Sequence, residues 1–556
     1  MEKRLVLSIA LSFVVLYLWA ALGPKPPLHP KPAINSQTTD TKEVRSKQTA
    51  ENTPVDQGDD QEEDQKALST EATPAPEAVA DSQAPAKTYD IENSKLKITF
   101  SSKGGNIKEV YIKEYDAFLP TENINSLPAY DNKKFELSKL TDTSVEFKLV
   151  SGQQTITKSY ELSRDDYIVN SVLKVSGNNE MSNLDNIAVE GFTLNITKKD
   201  HINDKGIAAS RNKRFYEYVV QTNEKSVRKG SAYKFSDKDR KTGESPVKWV
   251  GFRDRYFCVI VKPDKNAVGY SIANETEHDL EIKYHMKKSD ISSAGNLEIP
   301  ATIYMGPEKI EKLKQYHMGF ENIQRYYRFG LFDSIAKIIQ GLMHLIHKVV
   351  PNWGACILLV SILVYACTYP MTIRSMQSMR KMQRLQPKMK KIKEKYADNP
   401  QKMNQEMMGL YKKEKVNPLG GCLPMFLQLP VFIGLYQVLW RSVEFKHAKF
   451  LWIKDLSEPD RLIVLKHSFP IIGNEINLLP ILMMIIMFIQ QKLSAKNMVT
   501  ADPMQAQQQK MMQTIFPIFL GFIFYKFSSG LTLYFTMFYA FSSFTQWKLS
   551  RQPQEA

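Results

Sequence analysis

Residues 353–372, WGACILLVSILVYACTYPMT, combine an apolar run with a polar seam. Ser361, Tyr365, Thr368 and Thr372 stand at i, i+4, i+7 and i+11, so a helix lines all four along one face. Ile357, Leu358, Leu359, Val360, Ile362, Leu363 and Val364 cover the other faces. The run is long enough to cross a bilayer, where polar groups turn to a bundle interior or a water-filled cavity. Taken alone, such hydroxyls read as contacts between helices. The neighbouring segments favour one wall of a polar groove in a membrane, because a basic hairpin comes next and then Asn417-Pro418-Leu419-Gly420-Gly421-Cys422-Leu423-Pro424.

The basic segment, 374–418, carries 13 Lys and Arg against four acidic residues. Asn399 before Pro400 is a helix-start signature, a capping side chain followed by a proline at the first helical position. The flanking stretches are rich in methionine, with Met376, Met379, Met382, Met389, Met403 and Met407 beside Leu385, Ile392, Leu410 and Tyr411. That spacing predicts an antiparallel helical hairpin, its first arm kinked at Pro387. Met376, Met379, Met382, Arg380, Lys381 and Arg384 form its candidate contact surface. Methionine suits varied apolar partners, and the charge suits ribosomal RNA or anionic lipid. An ordinary solvated coiled coil is the plainer reading of the hairpin alone.

Further apolar runs give spans at 351–373, 419–441, 476–491, 511–527 and 529–547, after one at 1–22. The span at 419–441 contains Pro424, Gln428 and Pro430; the last has its own seam of Ser529, Thr532, Thr536, Tyr539 and Ser543. Segment 374–418 has net charge +9, 441–477 holds six basic and five acidic residues, and 492–510 holds three lysines and one Asp. Positive charge marks the cytoplasmic side. Six spans with both termini inside, a cytosolic loop at 492–510 and a cytosolic tail at 548–556 satisfy it. The loop at 442–475 and the large domain then lie outside.

At 556 residues and net charge +15 the chain has room for several domains. Its first apolar run, behind Lys3 and Arg4, leads into Gly23-Pro24-Lys25-Pro26-Pro27 instead of a small-residue cleavage site. An uncleaved signal anchor is the favoured reading, a cleaved signal the minority one. Residues 23–87 are too polar to fold and read as a tether. From 88 to 325 the period becomes two, as in Leu96–Phe100, Val145–Leu149 and Leu280–Tyr284, which predicts a large all-β sandwich. His201, His278 and His285 are scattered through it and read as surface groups. Residues 326–350 put Phe329, Phe332, Ile335, Ile339, Leu342, Ile346 and Val349 on one face, predicting an amphipathic helix in the membrane interface. The four cysteines lack metal-ligand spacing and read as small buried hydrophobes.

The chemistry is bounded by what the spans lack. They hold no His-Glu-x-x-His and no Asp, and no His comes after His467 to activate Ser528 or Ser529. No nucleotide-binding fingerprint appears either. A secondary transporter stays open, since broken helices and polar midplane groups are its hallmarks, but coupling ionisable groups are scarce. A channel filter is not legible. The third reading is a helper for other membrane proteins, whose polar groups lower the cost of carrying polar chain through lipid.

Residues 417–430, NPLGGCLPMFLQLP, with Val431-Phe432 and Ser442-Val443-Glu444, closely resemble the YidC family of membrane protein insertases. Gly530-Leu531-Thr532-Leu533-Tyr534 is similar to that family's last-span signature, and residues 249–257 and 304–309 to its periplasmic domain. The resemblance implies a membrane α-helical fold of six spans with a five-helix insertase core, a periplasmic β-supersandwich like those of sugar-binding folds, and a cytosolic helical hairpin. It implies insertion and chaperoning of nascent membrane proteins in the bacterial inner membrane, alone or with the Sec translocon. The implied partners are the ribosome, the lipid bilayer and the signal-recognition-particle receptor; DNA, metal, cofactor and catalytic residues are not expected. Ser361 and Tyr534 match groove-facing family positions, within a candidate groove set of Ser361, Tyr365, Thr368, Thr372, Gln428, Thr532, Tyr534 and Thr536. Phe535 stands where the family has a tyrosine, and the family's groove arginine falls at Tyr365. This groove is therefore expected to be hydrophilic but uncharged.

Overall fold

The computed structural model describes residues 86–177, 186–195, 215–223, 225–230, 241–276, 279–293, 296–326, 330–414, 416, 423–469, 473–496 and 503–551. All lie in one compact unit, Ser82–Ala556. The expected signal anchor, nearly all of the tether, the 417–422 motif, His201 and His278 fall outside the described residues.

Period-two patterning becomes strands wherever one face is buried. In Leu96–Ser101 buried and half-buried residues alternate along the whole strand. The largest sheet is antiparallel and runs, in space, Ser226–Gly230, Glu217–Thr222, Val247–Arg253, Phe257–Pro263, Asn296–Pro307, Ile168–Gly177, Gln154–Leu162, Ser144–Ser151, Glu136–Leu140. A second sheet orders Lys241–Gly243, Gly269–Thr276, Asp279–Lys287, Asn186–Asn195 and Thr121–Glu122; a third joins the first four strands of the domain. Aromatic and branched side chains, among them Trp249, Phe252, Phe192 and Ile282, fill the core. Gly191 lies at a register shift where two sheets approach, and a Cβ there would stand 2.5 Å from a Val250 methyl.

The domain also buries a charge. Lys158 is fully enclosed, with Nζ donating to Asn106 Oδ1 and 3.6 Å from Asp131 Oδ1. Burial pushes its ammonium down to about 8 while Asp131 pulls the other way.

Eight helices concern the rest: α1 (Ile310–Gln315), α2 (Gly330–Val349), α3 (Trp353–Lys395), α4 (Pro400–Lys413), α5 (Leu423–Arg441), α6 (Leu478–Lys496), α7 (Pro503–Phe524) and α8 (Ser529–Arg551). The Asn352 side chain caps α3, and Asn399 caps α4 with Pro400 in the first turn. Helix α3 runs unbroken through Pro370 and Pro387, so the expected span and the first hairpin arm are one 43-residue helix. At 1.5 Å per residue it is about 65 Å long, twice a hydrocarbon core. Helices α6 and α7 continue past the apolar runs into lysine- and glutamine-bearing turns. Segment 442–475 is more than a loop, since Ile463–Phe469 pairs with Gly473–Ile476. Its short apolar run lacks the alternation that announces a strand.

Contacts fix the helix directions. Ile357 lies against Gly530 and Tyr365 bonds Thr545, so α3 and α8 run the same way. Gln490 bonds Ser542 and Ser494 bonds Gln546, so α6 does too. Phe432 meets Phe535 while Trp440 meets Phe527, so α5 runs opposite, as does α7, whose Gly521 faces Met484 and whose following Tyr525 meets Asn477. The C-terminal ends of α6 and α8 therefore share one end of the bundle with the α3–α4 hairpin. The β domain closes the other. There Arg255 donates to the carbonyls of Trp440 at 2.7 Å and Ser457 at 3.1 Å, and Val443 enters the sandwich core.

Removing the buried ammonium should expose the cost of its partners. Lys158→Ala is expected to lower stability by about 3–5 kcal/mol, read as an earlier tryptophan-fluorescence transition in urea.

Candidate functional site

The bundle has an apolar core of its own, with Ile357, Val360, Leu435, Leu439, Met483 and Leu531 buried, yet it also exposes large apolar side chains and buries polar ones. Leu359, Ile362, Leu363, Ile485, Ile489, Ile518, Phe519 and Phe522 are exposed, whereas Ser361, Gln437, Thr532, Thr536 and Ser542 are buried. Water would penalise that arrangement, and lipid favours it. Among the described residues, Trp353–Met382 is long and apolar enough by composition to cross a membrane; Leu478–Ser494 and Gln513–Phe524 are shorter apolar helices.

Most seam hydroxyls bond within their own helix. Ser361 donates to the Ile357 carbonyl at 2.6 Å, Thr368 to Val364 at 3.0 Å and Thr372 to Thr368 at 3.0 Å. Thr532 donates to Ser528 at 3.1 Å, Thr536 to Thr532 at 2.7 Å and Ser543 to Tyr539 at 2.7 Å. This back-bonding satisfies each donor without a partner helix and leaves oxygen lone pairs in the interior.

Three candidate residues reach across helices. Tyr365 donates its hydroxyl to Thr545 Oγ1 at 2.6 Å, and Gln428 Nε2 donates to the Tyr534 hydroxyl at 2.7 Å. Phe538 connects them, edge-on to Tyr365 with centroids 6.0 Å apart and stacked with Tyr534 at 6.4 Å. The sequence runs on α3, α5 and α8 thus meet in one aromatic and polar line. It carries no formal charge. Arg374 lies exposed on α3 at the start of the hairpin segment, and Arg441 is buried at the other end, its guanidinium 5.2 Å from the Phe215 ring. Thr368 and Thr372 lie farther along α3, half-buried.

On the hairpin, Met376, Met379, Met382 and Arg380 are half-buried and Lys381 and Arg384 exposed. Leu385 is buried, Tyr411 donates to Met389 Sδ at 3.9 Å, and Lys388 pairs with Glu414 at 2.6 Å. Sequence reasoning missed Thr545, Phe538 and the Gln490–Ser542 and Gln546–Ser494 bridges at 2.8 and 2.6 Å. The signal for the bridges was present as amide and hydroxyl residues four apart on two apolar helices. Among the described residues, no three His, Cys, Asp or Glu side chains gather to hold a metal ion.

A helix bundle with an apolar outside, hydroxyls and amides buried within its apolar core and a β domain seated on one end defines an integral membrane protein with a large extramembrane domain. The 60Kd inner membrane protein family profile matches residues 345–556, and that of the YidC periplasmic domain residues 129–342. The chain is similar to the membrane protein insertase YidC of Geobacter sp. (strain M21), 30% identical over 81% of this chain and 83% of the relative. It is 29% identical to that of Chlorobaculum tepidum, over 82% and 80% respectively. A crystal structure of an active YidC insertase aligns with 84% of this chain and 93% of its own, at 17% identity and a TM-score of 0.35. The chain belongs to the YidC family of membrane protein insertases, inner-membrane proteins with a periplasmic domain.

The α6–α8 bridges are open to direct measurement. A double-mutant cycle of Gln490→Ala with Ser542→Ala is expected to give a coupling of about 0.6–1.7 kcal/mol in detergent unfolding.

Proposed function

We propose that this protein inserts and helps fold nascent membrane proteins, using the line of Tyr365, Phe538, Tyr534 and Gln428 as part of a hydrophilic path inside the bilayer. The carrying observation is that line itself, polar groups of three helices meeting inside a bundle whose outer surface is apolar. A passing polar segment would exchange hydrogen bonds with these hydroxyls and amides, which removes much of the several kcal/mol that each unsatisfied group costs in lipid. The work is non-covalent, so no enzymatic step is assigned.

On this reading α3, α5, α6, α7 and α8 form a five-helix core, and residues 1–22 add a sixth span. At 19 and 22 residues, about 29 and 33 Å, α6 and α7 are long enough to cross, with the polar residues at their ends snorkelling to the interface. The hairpin and both termini face the cytoplasm, where the hairpin's charge suits the ribosome and its methionines a nascent apolar segment. The Sec translocon is a partner for larger substrates, and the signal-recognition-particle receptor a further contact of the hairpin.

A strain depleted of its own insertase and supplied with this chain provides the test. Wild type should restore insertion of a short, Sec-independent membrane protein. Tyr365→Leu, which loses the bond to Thr545 and the interior hydroxyl, should slow insertion about tenfold, the equivalent of roughly 1.4 kcal/mol. Full activity of Tyr365→Leu and Gln428→Leu together would overturn the proposed path. Failure of wild type to insert any such substrate would overturn the function.

A further inference from the structure

Segment 442–475 carries apolar side chains outward at the end of the bundle that faces the β domain. Its paired strands, Ile463–Phe469 and Gly473–Ile476, open with the run Leu462-Ile463-Val464-Leu465. Neighbouring residues of a strand point to opposite faces. Ile463 is 50% exposed and Val464 61%, so the hairpin is apolar on both faces and both stand open. A strand with one covered face alternates apolar and polar residues, and this run does not. A partner protein seated on one face would leave the other in water. Lipid surrounds a hairpin on both sides.

Two sets of contacts fix the level at which it stands. Phe450 packs so closely on Gly354 that a Cβ there would collide with its ring, so the turn at 450–453 rests on the first turn of α3. The membrane-crossing stretch begins there, at Trp353. Asp460 Oδ2 accepts from the backbone N–H groups of Leu478 at 2.8 Å and Leu479 at 3.0 Å, at the start of α6, and from Trp452 Nε1 at 3.1 Å. The turn and the base of the hairpin thus share the level at which two parallel spans begin. Tryptophan at that position marks the headgroup layer.

The hairpin is held there and meets a lipid-facing surface. Arg461 pairs with Glu475 at 2.8 Å, and Tyr525, just past α7, donates to the Glu475 carbonyl at 2.8 Å. Ile463 pairs with Ile476, two residues before Leu478. From that point Leu478, Leu482, Ile485 and Ile489 form an exposed stripe down α6 at helical spacing. Lys466 and His467, both exposed, follow the apolar run along the strand and suit the polar layer above it. Headgroup depth also leaves water within reach of the hairpin's outer backbone edges, which the hydrocarbon core would deny them.

A second projection lies on the same level. Leu451 is 75% exposed at the tip of the turn closed by Phe450 and Ile453, with φ of 51°. The left-handed region is strained for a side chain of that bulk, and glycine or asparagine would relieve it. An apolar side chain held there against strain points to a use for it.

We propose that the hairpin base and the Leu451 turn form a second, monotopic membrane contact, with Leu451, Leu462, Ile463 and Val464 entering the periplasmic face of the bilayer at headgroup depth beside α6. The partner is phospholipid, recognised by its apolar depth and not by a particular headgroup. The contact does not rest on the substrate path and stands or falls separately from it.

Full-length Val464→Trp and Leu451→Trp chains, reconstituted in a large excess of lipid, provide the test. The emission of the added tryptophan is the difference from wild type. Lipid brominated near the carbonyl end of its chains should remove about half of it and lipid brominated near the methyl end less, because interfacial segments lie about 5–10 Å deep. Aqueous iodide should quench it far less than it quenches free tryptophan. Quenching by iodide and not by brominated lipid would overturn the proposal and place the hairpin in water. Quenching by neither would overturn it in favour of a contact with a second copy. Val464→Trp decides alone if Leu451→Trp fails to fold at its strained position, since position 464 lies on an open strand surface.

Discussion

Helix α8 is tied to its neighbours through side-chain hydrogen bonds from the bundle interior, and the arrangement of the whole bundle depends on them. Thr545 receives the Tyr365 hydroxyl from α3, Tyr534 receives the Gln428 amide from α5, and Ser542 receives the Gln490 amide from α6. In lipid the hydrophobic effect does not press helices together, so packing and such bonds must set direction and register. The bridges to α6, four residues apart on both helices, force α6 and α8 parallel. The aromatic contacts to α5 force that helix antiparallel. Connectivity then segregates the hairpin to one end and the β domain to the other.

The β domain is bound to that framework by charges that would be expensive if unpaired. Arg253 is fully buried, with Glu308 Oε1 at 2.7 Å and the carbonyls of Ile323 and Arg325 as acceptors. Arg255 reaches the end of α5 and the loop beyond it. The two arginines are separated by one residue at the end of strand Val247–Arg253, so a single strand end points one guanidinium into the domain and the other into the bundle. Tyr326 adds a third tie, its backbone N–H donating to Asp333 on α2 at 2.7 Å. Periplasmic and membrane parts are thereby joined by buried side-chain bonds as well as by the chain itself.

Much of this is legible in the sequence, and the boundary of legibility has a physical meaning. Alternation announces the strands because burial on one face leaves a period of two, and Asn399-Pro400 announces α4 because a cap and its proline are local chemistry. The span ending before Lys492 reads too short, because a lysine ends an apolar run without ending a helix. The strands at 463–476 escape detection for want of alternation. Helical spacing identifies which face Ser361, Tyr365, Thr368 and Thr372 share, but it cannot say where each hydroxyl bonds. That depends on reach. Ser and Thr fall back on the carbonyl one turn earlier, while the long arms of Tyr365 and Gln428 extend past their own backbone to another helix.

That difference in reach bears on the absence of formal charge in the line. A guanidinium at position 365 would need a partner or water within the bilayer, at several kcal/mol if it found neither. A tyrosine hydroxyl satisfied by Thr545 imposes no such demand, and its ring still packs on Phe538 and Phe541. On the proposed reading, the interior would therefore close on itself when empty. A substrate would open it by exchanging neutral hydrogen bonds, each weak in net terms, and would not be drawn in by a buried positive charge. Selection would then rest on the polarity and length of the passing segment more than on acidic residues within it.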